Sequence, residues 1–317
     1  LAELSSDCAA VSDIISLDYY CITELAFIFA KAELSFRLDA AAPVLTDERC
    51  VELYRARHPL LDKKTVVPVT ILLGKVSGRD YTTLVVTGPN TGGKTVTLKT
   101  IGLFALMAQS GLHIPADDNS RLCVFDKVLA DIGDEQSIEQ SLSTFSSHMV
   151  NIASIMQIAD DRSLVLFDEL GAGTDPTEGA ALAIAILESI RRRGALCVAT
   201  THYAELKAYA LDTEGVANAS CEFNVETLRP TYRLIIGSPG KSNAFAISLK
   251  LGLDPAIIED ARRRITGDEK RFELIIEKLE ESRIEMERQR DEAARLRREF
   301  EAFKAAEEEK IRRRAAE

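Results

Sequence analysis

Apolar residues recur at helical spacing through the first forty positions. Leu25, Ile28, Phe29, Ala32, Leu34 and Phe36 follow a helical period, and no glycine or proline interrupts them, which predicts one or two helices. Pro43, Pro59 and Pro68 then cut the chain into short extended pieces, with a domain boundary expected near residue 44. Residues 84–87 read as a buried strand, followed by a glycine-rich turn and a helical pattern that ends at 111–116. Residues 121–130 carry strand-like residues, and the acidic stretch 131–140 reads as loop.

Phe145, Met149, Ile152, Met156 and Ala159 return at steps of three and four, so 144–159 is an amphipathic helix that starts from the run 141–144. Residues 164–167 form a continuous apolar strand that stops on Asp168 and Glu169. Such strands belong to parallel sheets covered on both faces. Asp175-Pro176-Thr177-Glu178 has the pattern of a helix start: Asp as cap, Pro at the first position, Glu at the third. That helix runs to about Arg193, and Gly194 closes it. Residues 195–200 are another short buried strand, 216–225 and 231–236 a hairpin, and 242–265 helices split at 252–255. The alternation predicts an α/β fold, a mostly parallel sheet flanked by helices.

Beyond residue 267 the chain has neither glycine nor proline, and 16 acidic and 14 basic residues crowd into the last fifty. Phe272, Leu279, Met286, Ala293 and Phe300 fall every seventh residue. Ile275, Ser282, Gln289, Leu296 and Phe303 sit three further on. This is an a/d seam with two polar d positions, a weak coiled coil that binds a partner helix. The same residues also read as a solvated helix laced with pairs such as Asp291/Arg295 and Glu308/Arg312.

The chain has 317 residues and a net charge of −11, which argues against broad electrostatic binding to nucleic acid or anionic lipid and leaves room only for a local basic patch. Cys8, Cys21, Cys50, Cys123, Cys197 and Cys221 include no C-x-x-C pair. They imply neither a zinc site nor a disulfide framework, and read as core residues of a cytoplasmic protein. No apolar run approaches the roughly 18 residues of a membrane span, and no leader pattern opens the chain. A start at Leu1 reads as a piece cut from a longer protein.

The chemistry gathers around the turn Gly88-Pro89-Asn90-Thr91-Gly92-Gly93-Lys94-Thr95, which fits G-x-x-x-x-G-K-[ST] between a strand and a helix. In such a loop backbone N–H groups wrap phosphate oxygens, the lysine neutralises them and the hydroxyl of Thr95 ligates Mg²⁺. Asp168, at the end of an apolar strand, suits a carboxylate that holds the metal, and Glu169 one that polarises an attacking water. His202 ends the next strand. It reads either as a γ-phosphate sensor or as a packed strand-end histidine.

Four stretches, TGPNTGGKT at 87–95, SLSTFSSHM at 141–149, DELGAGTDPTEG at 168–179 and ATTHYAEL at 199–206, together resemble the MutS family of ABC-type ATPases over residues 45–265. TDPTEG, the stretch GKSNAFAISLKLGL at 240–253 and the charged helix after it are more similar to the second bacterial MutS lineage than to the mismatch-repair lineage.

The resemblance implies a P-loop NTPase fold of the ABC/MutS type that binds ATP and Mg²⁺. Gly88 to Thr95 would form its phosphate loop, Asp168 and Glu169 its Walker B pair, and His202 its switch histidine. Ser143 would reach the γ-phosphate of the other subunit, giving a homodimer with composite sites. Asp175 falls where the family's D-loop crosses the dimer interface. Val67 lies near the adenine-stacking position, and His58 resembles a family landmark, structural or binding.

By the same resemblance, residues 1–44 are the helical end of a lever region, 45–265 the ATPase domain and 266–317 a charged helix. The lineage's partner is branched DNA, with suppression of homologous recombination as the outcome. A ribosome-directed factor that splits stalled or collided ribosomes is the alternative. A third reading is a module that serves chiefly to dimerise. The lineage often carries a C-terminal Smr nuclease domain, and endonuclease activity is assigned to none of these residues.

Overall fold

The computed structural model describes residues 2–76, 78–89, 92–133, 144–224, 226–240 and 243–264, with scattered positions between 275 and 300. The chain falls into two compact units, Leu1–Gly240 and Lys241–Glu317. In chain order the first contains α1 (Ala2–Ala10), α2 (Ser12–Leu38), β1 (Val44–Thr46), β2 (Cys50–Ala56), β3 (Val69–Val76), β4 (Arg79–Tyr81), β5 (Thr83–Thr87) and α3 (Lys94–Gln109). It continues through β6 (Arg121–Cys123), β7 (Lys127–Asp131), α4 (Thr144–Ile158), β8 (Ser163–Phe167), α5 (Pro176–Arg192), β9 (Leu196–Thr200), α6 (Ala204–Asp212), β10 (Val216–Asn224) and β11 (Arg229–Ile236). The second contains α7 (Ala244–Lys250) and α8 (Pro255–Arg264).

The strands form two sheets. The larger has the order β11-β10-β5-β9-β8-β7 and is parallel except for the β10–β11 hairpin. The smaller has the order β1-β6-β2-β3-β4 and is antiparallel apart from the β1–β6 pair. The alternation of side chains along each strand explains why the parallel strands read as unbroken apolar runs. Leu84, Val86, Leu164, Leu166, Leu196 and Val198 face one core, which holds Leu98, Ile101 and Phe104 of α3 together with Val51, Leu53, Ile71 and Leu73 of the smaller sheet. Val85, Val165, Phe167, Cys197 and Ala199 face the other core, built with Ile152 and Ile155 of α4, Ala183, Leu187 and Ile190 of α5, and Leu206 of α6. The helix after the glycine-rich turn is thus clamped between two sheets, and the larger sheet is covered on both faces.

Asp175 caps α5 as its sequence pattern predicts, its carboxylate accepting from the N–H groups of Thr177 and Glu178 at 3.0 and 3.1 Å. Helices α1 and α2 span the first forty residues as expected but bury no side chain. Cys8 and Cys21 are therefore exposed, against the expectation of core residues, while Cys50, Cys123, Cys197 and Cys221 are buried. Among the described residues no helix is long and apolar enough to cross a membrane.

In the second unit, the Arg262 guanidinium lies 5.7 Å from the centre of the Phe245 ring, within cation–π range. Of the predicted seam, Ile275, Met286, Leu296 and Phe300 are exposed. Phe272, Leu279 and Phe303 lie outside the described residues.

Candidate functional site

The register of the larger sheet brings its chemistry to one edge. Val86 pairs with Thr200 and Phe167 with Ala199, so β5, β8 and β9 all end at the same level. The glycine-rich turn, Asp168-Glu169 and Thr201-His202 leave the sheet side by side. This is the carboxyl end of a parallel sheet, where α/β folds bind ligands.

The turn is shaped by close contacts. Gly88 has φ 129°, and a Cβ there would lie 3.0 Å from the Cys221 carbonyl of the neighbouring β10. Gly92, whose N–H donates to the Pro89 carbonyl at 2.9 Å, packs as tightly against the Cys221 side chain. Gly93 has φ 94° and precedes α3 with no side chain capping the helix. Gly93 has no side chain to occupy the N-terminus of α3, where backbone N–H groups and the positive end of the helix dipole suit an anion. Asn90, Thr91 and Ser143 lie outside the described residues.

Lys94, in the first turn of α3, is only 1% exposed. Its ammonium donates to the Gly88 carbonyl at 2.6 Å and lies 2.9 Å from Nε2 of His202. Burial is the main reason its pKa is lowered to about 8, opposed by Glu169, Cys221 and Asp168 and assisted by Lys207. His202 is driven down to about 4, first by burial and then by Lys94 and Lys207. It is neutral at pH 7, so Nε2 accepts from Lys94 and the ring proton resides on Nδ1. Its 3.7 Å approach to the Glu169 carboxylate is for that reason not an ion pair at neutral pH.

Asp168 is buried, and its N–H donates to the Asp131 carbonyl. Its Oδ1 accepts from the Thr200 hydroxyl at 2.5 Å, and that hydroxyl in turn accepts from the Glu169 N–H at 2.8 Å. Glu169 has a left-handed backbone, φ 46°, uncommon for a residue with a Cβ. Behind this pair, Gly171 and Gly179 meet so closely that a Cβ on either would sit 2.4–2.5 Å from the other's carbonyl oxygen. The turn between β8 and α5 is thereby held against the start of α5.

A cavity of about 330 Å³ opens beside Gly93, lined by His58, Val67, Val69, Val96, Thr97 and Tyr232 among others. Its volume falls within the range of small-molecule sites. Val67 and His58 both reach it. His58 is pushed below the usual histidine range by burial and by Lys99, and its Nδ1 accepts from the Leu60 N–H at 3.3 Å.

Sequence reasoning overlooked Tyr232, whose ring faces Gly93 across 3.1 Å from where a Cβ would stand. It also overlooked Thr200, Lys207 and Cys221. Lys207, which donates to the Gly240 carbonyl, adds positive charge near Lys94 and His202. The one usable signal was the pair of threonines before His202 in ATTH. The others come from strands and helices distant in sequence.

Among the described residues no three His, Cys, Asp or Glu side chains gather as a metal site. Magnesium does not ask for such a cage, since it binds through one or two protein oxygens, phosphate and water.

A strand-loop-helix with a buried lysine, a histidine at the end of the adjacent strand and two carboxylates at the end of the strand beyond it define a P-loop nucleotide-binding protein of the α/β class. The family model for MutS domain V matches residues 84–267, and the chain belongs to the MutS family. The matched segment is the family's ATPase domain, and ATP binding goes with it. The chain is 60% identical to a protein of Agathobacter rectalis named endonuclease MutS2 over 287 residues, 90% of this chain and 36% of that protein. Proteins of the same name from Bacillus cereus and Clostridioides difficile are 58% and 56% identical over 95% and 98% of this chain, covering 38% and 39% of their own lengths. The chain thus spans little more than a third of these relatives.

Proposed function

We propose that this chain is the ATP-binding and ATP-hydrolysing core of a MutS-like protein that acts on branched DNA and suppresses homologous recombination. The observation that carries the catalytic part is the convergence of Lys94, Asp168, Glu169 and His202 on one sheet edge above an uncapped helix. Gly88, Pro89, Asn90, Thr91, Gly92 and Gly93 wrap the phosphates, and Lys94 turns from the Gly88 carbonyl to their oxygens. The base enters the cavity between Val67, His58 and Tyr232.

Thr95 and Asp168 would supply the protein oxygens for Mg²⁺, which would offer a compensating positive charge to the phosphates when bound. Glu169 orients and polarises the water, and His202, once Lys94 turns away and its ring proton moves to Nε2, donates to the γ-phosphate. Ser143 serves the site of a second copy in a homodimer with composite sites, and Asp175 lies at that interface. Residues 1–44 serve as the end of a lever, 45–265 as the ATPase domain, and 266–317 as a charged helix.

Lys94→Ala is expected to abolish binding of a fluorescent ATP analogue. Glu169→Gln is expected to keep binding while turnover falls roughly a hundredfold; wild-type turnover in both variants would refute the site. The target is tested by titrating ATP turnover of the full-length protein with four-way DNA junctions and with ribosomes. Stimulation by junctions alone supports the DNA reading. Stimulation by ribosomes alone replaces it with the ribosome-splitting one.

A further inference from the structure

We infer that Thr200 is a positioning residue for ATP hydrolysis, one hydroxyl that holds the two carboxylates of this site in register. The inference rests on the ATPase reading above and adds to it a residue outside the phosphate loop and the carboxylate pair.

Thr200 is fully buried at the last position of β9, beside the point where β8 gives way to Asp168. All its polar groups on that side serve the same three residues. The hydroxyl proton goes to Oδ1 of Asp168 at 2.5 Å, the hydroxyl oxygen takes the N–H of Glu169 at 2.8 Å, and the backbone carbonyl takes the N–H of Leu170 at 3.0 Å. A hydroxyl has a single proton, so accepting from Glu169 leaves that proton to be aimed at Asp168. The direction of the chain of bonds is thereby set. A β-branched side chain on a strand is also stiff at χ1, which keeps the oxygen in place.

The two groups so joined have different tasks. Oδ1 of Asp168 is fixed in orientation, and with it the plane of the carboxylate that would hold the metal. Glu169 sits in the left-handed region, where its backbone needs outside support, and the bond from its N–H to Thr200 is such support. Without the hydroxyl, the buried Asp168 loses a partner and the part-buried Glu169 N–H loses its acceptor, both at a cost. The Glu169 backbone is then free to relax toward an ordinary conformation, which carries the carboxylate away from its water. Nothing in the phosphate loop touches Thr200 through these bonds, so nucleotide affinity is untouched. Positioning errors of this kind act on turnover.

The test compares Thr200→Val, which keeps the shape and removes the hydroxyl, with Thr200→Ser, which keeps the hydroxyl and removes the methyl, in the full-length protein. Thr200→Val is expected to lower kcat at least roughly tenfold and to raise the Mg²⁺ concentration needed for half-maximal turnover. Its Kd for a fluorescent ATP analogue should stay within about threefold of wild type. Thr200→Ser is expected to stay within about twofold in all three measurements.

A role in packing alone predicts the reverse order, Val like wild type and Ser impaired, and that result overturns the inference. Equal turnover in all three proteins does so too. Should Thr200→Val fail to fold, as judged by its thermal melt, Thr200→Ala takes its place. Ser active and Ala slow supports the inference, and Ser as slow as Ala defeats it. Lys94→Ala run in parallel separates the two levels: if it hydrolyses ATP normally, the ATPase reading itself has failed, whatever Thr200 does.

Discussion

Lys94 carries a cost that its ligand removes. Burial lowers its pKa from 10.5 to about 8, so the free protein holds a charged lysine at pH 7 and a largely neutral one at pH 9. A triphosphate favours the charged form and raises the pKa again. Binding above pH 8 therefore takes up a proton, and affinity should fall between pH 7 and pH 9. Calorimetry in two buffers of different ionisation enthalpy checks this, with proton uptake seen only at the higher pH. The stability of the nucleotide-free protein has the opposite slope. Between pH 8 and 10.5 the unfolded chain binds more protons at this residue than the folded one, so this contribution to stability rises with pH.

At Asp175, replacement by Ala removes the acceptor for two N–H groups of α5 and should cost about 1 kcal/mol, read from a denaturant midpoint. The residues of the phosphate loop, the carboxylate pair and the cap were legible because each is a local pattern, complete within eight residues or fewer. Thr200 and Tyr232 were not. The first matters through partners 31 and 32 positions away, and the second through a glycine on another element, so no spacing in the sequence marks them.

Helix α3 does the most structural work among the elements, since it presents its N-terminus to the site while its body fills the gap between two sheets. Phe104 is fully buried within it, and Phe104→Ala should destabilise the protein by about 3–5 kcal/mol in chemical denaturation. Helix α4 is tied to the same edge by another route. His148 and Asn151 hold the two carboxylate oxygens of Asp131 at 2.8 and 2.9 Å, and the Asp131 carbonyl receives the N–H of Asp168. The predicted helices and strands correspond to α2, α3, α4, α5, α7, α8, β5, β8, β9 and the β10–β11 hairpin. Helix α6 escaped notice. It has nine residues, buries only Leu206 and Ala210, and so has too little apolar face to leave a period.

For the molecule as a whole, the chain spans little more than a third of the relatives it matches. The seam of heptads beyond residue 267 is expected to support self-association: removal of residues 268–317 should lower the mass seen by light scattering, and an unchanged mass would deprive the seam of that role. The sequence by itself determined the class of fold and the strand-turn-helix around Lys94, because such a unit is written in contiguous residues and parallel strands covered on both faces must be apolar throughout. Only the tertiary structure decided that the strands divide into two sheets with α3 between them. It also decided that β5, β8 and β9 end level, and that the Thr200 hydroxyl at the end of β9 meets the Asp168 carboxylate and the Glu169 N–H beyond the end of β8. Pairing between strands is chosen by packing across the whole core, which no local pattern records.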